Sequence, residues 1–248
     1  VAKRRNVRVV SGPLEVMHMS TSKEQSRKFT YTDNIRAMSE ELDALQKTLS
    51  TLSDEDWRRP TRCTGWDVLT LVSHINIGAH MLPELADGQA STSAERDHVS
   101  FFDFDSKQWS PVVFDYAVDA TKGKTPQEVT ATISETAREM HEAVEKVPPG
   151  YIGPAFFAPM RIDEFLPTRV LELAVHGLDL TNALDRPPYL TPLASAITAD
   201  LLDQALDGPL PEDLAQDEIA FIEVATGRRP HPDLRLPVLH WAEGPGAN

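Results

Sequence analysis

Cysteine is almost absent: Cys63 is the only one in 248 residues, so no internal disulfide can form, and the chain fits a reducing compartment, the cytoplasm. Basic residues are scarce too. The 24 Lys and Arg face 38 Asp and Glu, a formal net charge of −14 that phosphate backbones and anionic lipid would repel. Nucleic acid and membrane surfaces are therefore poor partners for the body of the chain, and a small molecule is expected instead. No apolar run approaches the roughly 20 residues needed to cross a bilayer. No G-x-S-x-G element points to a serine hydrolase, and no glycine-rich phosphate loop, dinucleotide fingerprint or fixed-period repeat occurs.

What is present is a globular composition, 41% hydrophobic and 25% charged, which excludes collagen-like, coiled-coil and wholly disordered chains. Charge is unevenly placed. Residues 1–28 carry net +5 and leave −19 to the rest. Lacking the continuous apolar stretch of a secretory signal, they read as a mobile basic arm ahead of a single domain over residues 29–248.

Helical periodicity dominates that domain. Ile35, Met38, Leu42, Leu45 and Leu49 recur at three- and four-residue intervals between Thr32 and Leu52, behind a Thr32 or Asp33 cap. A second helix starts near Asp67 and runs toward Pro83. Residues Ala86 to Pro111, polar and then aromatic, read as a long connection and a candidate lid. A third helix spans Thr125 to Lys146, and a fourth runs from about Asp163 to Leu184. Further helices are expected over Pro192 to Leu206 and Pro211 to Thr226, before a proline-rich tail. Short β-branched pieces at Val7 to Val10 and Pro111 to Phe114 have no hairpin signal to join them. The expectation is an all-α fold: a four-helix bundle over 31–184, additional C-terminal helices over 190–227, and a tail over 228–248.

Chemistry concentrates on the fourth helix. At about 100° per residue, Glu172, His176 and Asp179 share one stripe of an otherwise apolar helix, with Arg169 at its edge. A buried polar seam must be paired, solvated or metal-bound. Glu and His four residues apart can reach one cation, although alone this spacing more often marks a surface pair. On the second helix His74 sits among Leu71, Ile77 and Gly78 and should point inward. In a bundle, such a His and an inward Glu/His pair can converge as three protein ligands with an open fourth position.

The segment Trp57-Arg-Arg-Pro-Thr-Arg-Cys-Thr-Gly65-Trp66-Asp-Val-Leu-Thr-Leu-Val-Ser-His74, followed by Arg169-x-x-Glu172-x-x-x-His176-x-x-Asp179, resembles the mycothiol-dependent maleylpyruvate isomerase family. That family belongs to the DinB-like helical bundles, and the likeness covers Tyr31 to Leu184. It implies His74, Glu172 and His176 as ligands of a divalent ion, zinc by availability, since nickel and copper suit the same donors. It implies mycothiol as thiol cosubstrate, with Asp179 orienting a ligand or bound group and Arg169 at the pocket. Trp66, Asn76, His80 and Arg169 are available to contact the cofactor. Isomerases of the family carry a further C-terminal α/β domain, for which a chain ending at Asn248 leaves no room; the expectation is thus a thiol transferase acting on another small electrophile. A maleylpyruvate-type isomerase, a metal-dependent hydrolase and a non-catalytic metabolite-binding bundle are the alternatives. A monomer or homodimer is expected, with Cys63 structural rather than nucleophilic.

Overall fold

The computed structural model describes residues 28–233 and 235–239. The basic arm up to residue 27, with the Val7 to Val10 piece, and the end of the tail lie outside the described residues. The fold is all-α. Among the described residues there are seven α-helices and one small antiparallel hairpin.

Capping chemistry starts the helices close to where the sequence places them, although the cap of the first is Thr30 rather than Thr32 or Asp33, because Asp33 serves as the third helical residue of a capping box. In α1 (Tyr31–Leu49) the Thr30 hydroxyl accepts from Asp33 N at 3.1 Å, and the Asp33 carboxylate accepts from Thr30 N at 3.0 Å. In α2 (Val68–Asp87) Asp67 accepts from Thr70 N. Pro83 does not end α2. An interior proline costs about 3 kcal/mol, and burial of Leu82 and Leu85 at about 2 kcal/mol each outweighs it, so the helix continues one more turn.

The first real departure from the sequence reading is α3 (Ser106–Thr121), which occupies what reads as the end of a connection and absorbs the Pro111 to Phe114 piece. Only Ala117 of α3 is buried, so its apolar face is too weak to stand out in the sequence. Next comes α4 (Pro126–Lys146), opened by a Thr125/Glu128 capping box. Strands β1 (Ile152–Pro154) and β2 (Pro159–Arg161) form the hairpin that the sequence does not signal. The chain closes with α5 (Ile162–Ala183), α6 (Pro192–Ala205) and α7 (Glu218–Ala225). Residues 211–217 turn rather than coil into a helix, so α7 begins later than its apolar pattern implies.

Helices α1, α2, α4 and α5 make the bundle: α2 packs on α4 and α5, and α1 on α5 and α4. Helix α3 lies against α2, α6 covers α5 and α1, and α7 packs on α6. Two apolar cores result, and α5 serves both: Phe165, Val170 and Leu173 face the bundle, while Leu171, Val175 and Leu178 face Leu201, Leu202, Phe221 and Ile222 of α6 and α7. A helix buried on nearly every side leaves polar residues nowhere to go but inward. No helix among the described residues is long and apolar enough to cross a membrane.

The connection after α2 is stitched down rather than free. Ser91 N and Glu95 N donate to carbonyls of the hairpin, and Arg96 donates to the carbonyls of Ser100 and Asp103. His98 spans two helices, its Nδ1 on Glu164 of α5 and its Nε2 at 3.0 Å from Gln204 Oε1 of α6. Both partners are oxygens, an arrangement that favours the doubly protonated ring. Burial lowers the His98 pKa, but the Glu164 and Gln204 hydrogen bonds with the Glu164 and Asp97 charges outweigh it and raise it above 6.5. A raised folded-state pKa adds stability that is complete below the unfolded value and is lost as pH climbs through the folded one. The stability difference between wild type and His98→Gln is therefore expected to be about 1 to 2 kcal/mol near pH 5.5 and to shrink toward pH 9. Urea titrations at both pH values check it; an unchanged difference would contradict the ion pair.

Candidate active site

Burial of α5 brings its polar stripe against α2. His74 of α2 and Glu172 and His176 of α5 meet with their ligand atoms all within 4.8 Å of one another. The Glu172 Oε2 atom lies 3.4 Å from His176 Nε2 and 3.8 Å from His74 Nε2, and the two imidazoles stand edge to face, 4.8 Å between centroids. The three residues expected to converge are thus brought together.

Asp179 is fully buried and forms the hub behind them. His176 Nδ1–H donates to its Oδ2 at 2.9 Å, which turns Nε2 toward Glu172. Arg228 donates from Nε to Oδ1 at 3.2 Å and from Nη2 to Oδ2 at 2.9 Å, and Arg62 Nε donates to Oδ1 at 2.6 Å. Arg62 continues to Glu223 Oε1 at 2.7 Å. The Cys63 thiol donates to Oδ2 at 3.3 Å. Cys63, His176 and Asp179 are also close enough to hold an ion. Two guanidiniums and the His176 N–H already fill the Asp179 oxygens, so that second trio is a hydrogen-bond net rather than a cation site.

Arg62 and Arg228 are the participants that sequence reasoning passed over. Arg62 stands in the quoted Trp57 to His74 segment and Arg228 at the start of the tail, and in neither place does anything local tell a buried arginine from a surface one. The turn that delivers Arg62 and Cys63 depends on Gly65, whose φ of +83° is strained for other residues and which lies under Phe114. On α5, Gly177 lets Tyr189 approach where an added Cβ would come within 2.8 Å of its hydroxyl.

Electrostatics follow from burial and pairing. Burial penalises the charged His176, but its hydrogen bonds to Asp179, Cys63 and Glu172 hold its pKa well above the usual range. Burial also raises Glu172 and Asp179, yet the histidines beside Glu172 and Arg228 beside Asp179 bring both carboxyls well below theirs. His74 is lowered, chiefly by burial. A proton between Nε2 of His176 and Glu172 is what a divalent cation would displace.

Beside the cluster opens a cavity of about 450 Å³ that His74 and Glu172 also line. Asn76, His80 and Arg169 line it, as do Phe101, Phe104, Trp109, Tyr116, Phe156 and Phe157. Arg169 is buried, not paired with a surface acid. His80 sits at the rim, its Nδ1 3.2 Å from Glu139. Trp66 is not in the lining; its ring packs on His74, centroids 4.7 Å apart.

Residues 38–181 match the family described as the mycothiol maleylpyruvate isomerase N-terminal domain. Two uncharacterized proteins from two strains of Mycobacterium tuberculosis are each 26% identical over 156 residues, 62% of this chain and 56% of theirs. The chain thus spans little more than half the length of these curated relatives. Two crystal structures of mycothiol-dependent maleylpyruvate isomerase, one of them a histidine-to-alanine mutant, resemble it with TM-scores of 0.53 and 0.51 at 11% identity, covering 72% of this chain and 70% of theirs. That likeness is one of fold. The family match covers more than half of the chain and contains His74, Glu172, His176 and Asp179, and the chain belongs to the mycothiol maleylpyruvate isomerase N-terminal domain family.

Proposed function

We propose that the chain is a metal-dependent enzyme using a low-molecular-weight thiol, mycothiol by family membership, to transfer sulfur to a small electrophile held in the aromatic cavity. The convergence of His74 Nε2, Glu172 Oε2 and His176 Nε2 at the cavity wall carries this reading. Two imidazole nitrogens and one carboxylate suit zinc, and three protein ligands are the number found in open, catalytic sites. A divalent ion bound there supplies a Lewis acid that keeps a coordinating thiol deprotonated at neutral pH.

The chain's own residues do the rest. Asp179 fixes the tautomer and orientation of His176, Arg62 and Arg228 hold Asp179, and Trp66 backs the ring of His74. The aromatic walls give the electrophile an apolar surface to lie against. In conjugation the S–H proton is released, a C–S bond forms and the electrophile's leaving group departs. In the maleylpyruvate-type alternative, to which membership of the family also points, the sulfur adds and leaves again with the thiol regenerated.

Assays with and without mycothiol, before and after chelation, test the proposal. Turnover is expected to need both thiol and metal and to persist within about threefold in Cys63→Ser, because the protein thiol is not the nucleophile. Thiol-independent turnover would make the protein a hydrolase, and ligand binding without turnover a binding bundle. Either result overturns the transferase reading.

A further inference from the structure

Arg169 is used by nothing described so far except the cavity wall. It is 2% exposed, yet no Asp or Glu oxygen among the described residues lies within 4.0 Å of it, whereas Arg62 and Arg228 both grip Asp179. Its Nη1 donates to Gly78 O at 2.8 Å and its Nε to Thr168 Oγ1 at 3.2 Å; Nη2 has no hydrogen bond among the described residues. The guanidinium is held between rings, 4.7 Å from the Phe165 centroid and 5.3 Å from that of Phe101. Glu172, one turn along α5, acts on it only through space, and a buried guanidinium with no carboxylate hydrogen-bonded to it is costly. Its position in the lining of a cavity makes an anionic ligand the natural partner, and the planar fork matches a carboxylate.

The remaining wall defines the rest of that ligand. Phe104 stacks on Phe157, and Trp109 and Phe156 stand edge-on to Phe157, so the space is bounded by flat apolar faces. Tyr116 at 62% and Phe156 at 48% exposure leave apolar surface open within the lining. Arg169 is the one Lys or Arg in the lining, and Glu84 and Glu172 are its acids, so a second carboxylate on the ligand would find no cation among these side chains. Arg169 and Glu172 lie one turn apart on α5, about 4.5 Å along the axis, close enough for one small molecule to reach both.

We propose that Arg169 anchors the carboxylate of an aromatic or flat conjugated monocarboxylic acid, and that this is the class of electrophile the cavity selects. The proposal rests on the cavity being the electrophile site, but its test needs neither thiol nor turnover. Isothermal titration would compare 2-naphthoate with uncharged 2-naphthamide on the purified protein. The acid is expected to bind at least about tenfold more tightly than the amide. Arg169→Gln should equalise the two, Arg169→Lys should keep most of the preference, and Trp109→Ala should weaken both ligands by the same factor. On the chelated protein, naphthalene-2,6-dicarboxylate should bind more weakly than the monoacid.

Equal affinity of acid and amide for the wild type would overturn the proposal, as would failure of either to bind. A preference that persists in Arg169→Gln would place the carboxylate on the cation and overturn it too. Repeating the pair of titrations on chelated His176→Ala separates the two readings: acid preference retained there supports Arg169 whatever the fate of the metal assignment, and its loss assigns the carboxylate to the cluster. Should Arg169→Gln fail to fold, the wild-type comparison and the chelated variant still decide.

Discussion

His176→Ala and His74→Ala are each expected to lower bound divalent metal from about one equivalent per chain to well below stoichiometric, and to reduce thiol-dependent turnover by more than about 100-fold. The size of the effect follows from the donor count. Removing one of three protein donors leaves two, a chelate too sparse to compete with water for the ion. Loss of an outer partner alone costs 10- to 100-fold in such sites, so loss of a direct ligand should cost more. Elemental analysis of purified variants, with circular dichroism to confirm helix content, checks the result. His80→Ala is the control, since His80 lines the same cavity but is engaged with Glu139 at the rim. Retention of a full equivalent in both histidine variants would refute the assignment.

The second large effect is structural. Asp179→Ala is expected to destabilise the fold by about 3 to 5 kcal/mol, because it strands two guanidiniums, an imidazole N–H and a thiol around a fully buried point. Asp179→Asn keeps the volume and loses the charge, so it should recover part of that loss while still weakening metal binding about 10-fold or more, the His176 ring no longer facing an anion. Urea unfolding of the variants gives the first quantity and competitive zinc titration the second. A change below about 1 kcal/mol in Asp179→Ala would mean that the hub carries no weight in folding.

How far the sequence led is clearest on particular elements. The starts at Asp67 and Thr125 and the apolar period within the helices are local signals, and α1, α2, α4 and α6 start within a residue or two of where those signals place them, although α1 is capped by Thr30 rather than Thr32 or Asp33. Helix α5 was visible with its polar stripe, because three polar residues on an apolar helix stand out. Helix α3 was not: a helix that buries only Ala117 has almost no period to detect. The hairpin escaped for a similar reason, its strands being three residues each and built around prolines.

The order of amino acids alone singled out His74, Glu172, His176 and Asp179, since side-chain type and helical spacing are properties of a few neighbouring positions. Packing decided everything that joins distant positions. Arg62 and Arg228 reach Asp179 across 117 and 49 residues of chain. Arg169 becomes a buried charge facing a cavity only because α2, the 88–105 connection and the hairpin close around it. Such meetings depend on how helices lie across one another, which no short stretch of the chain encodes.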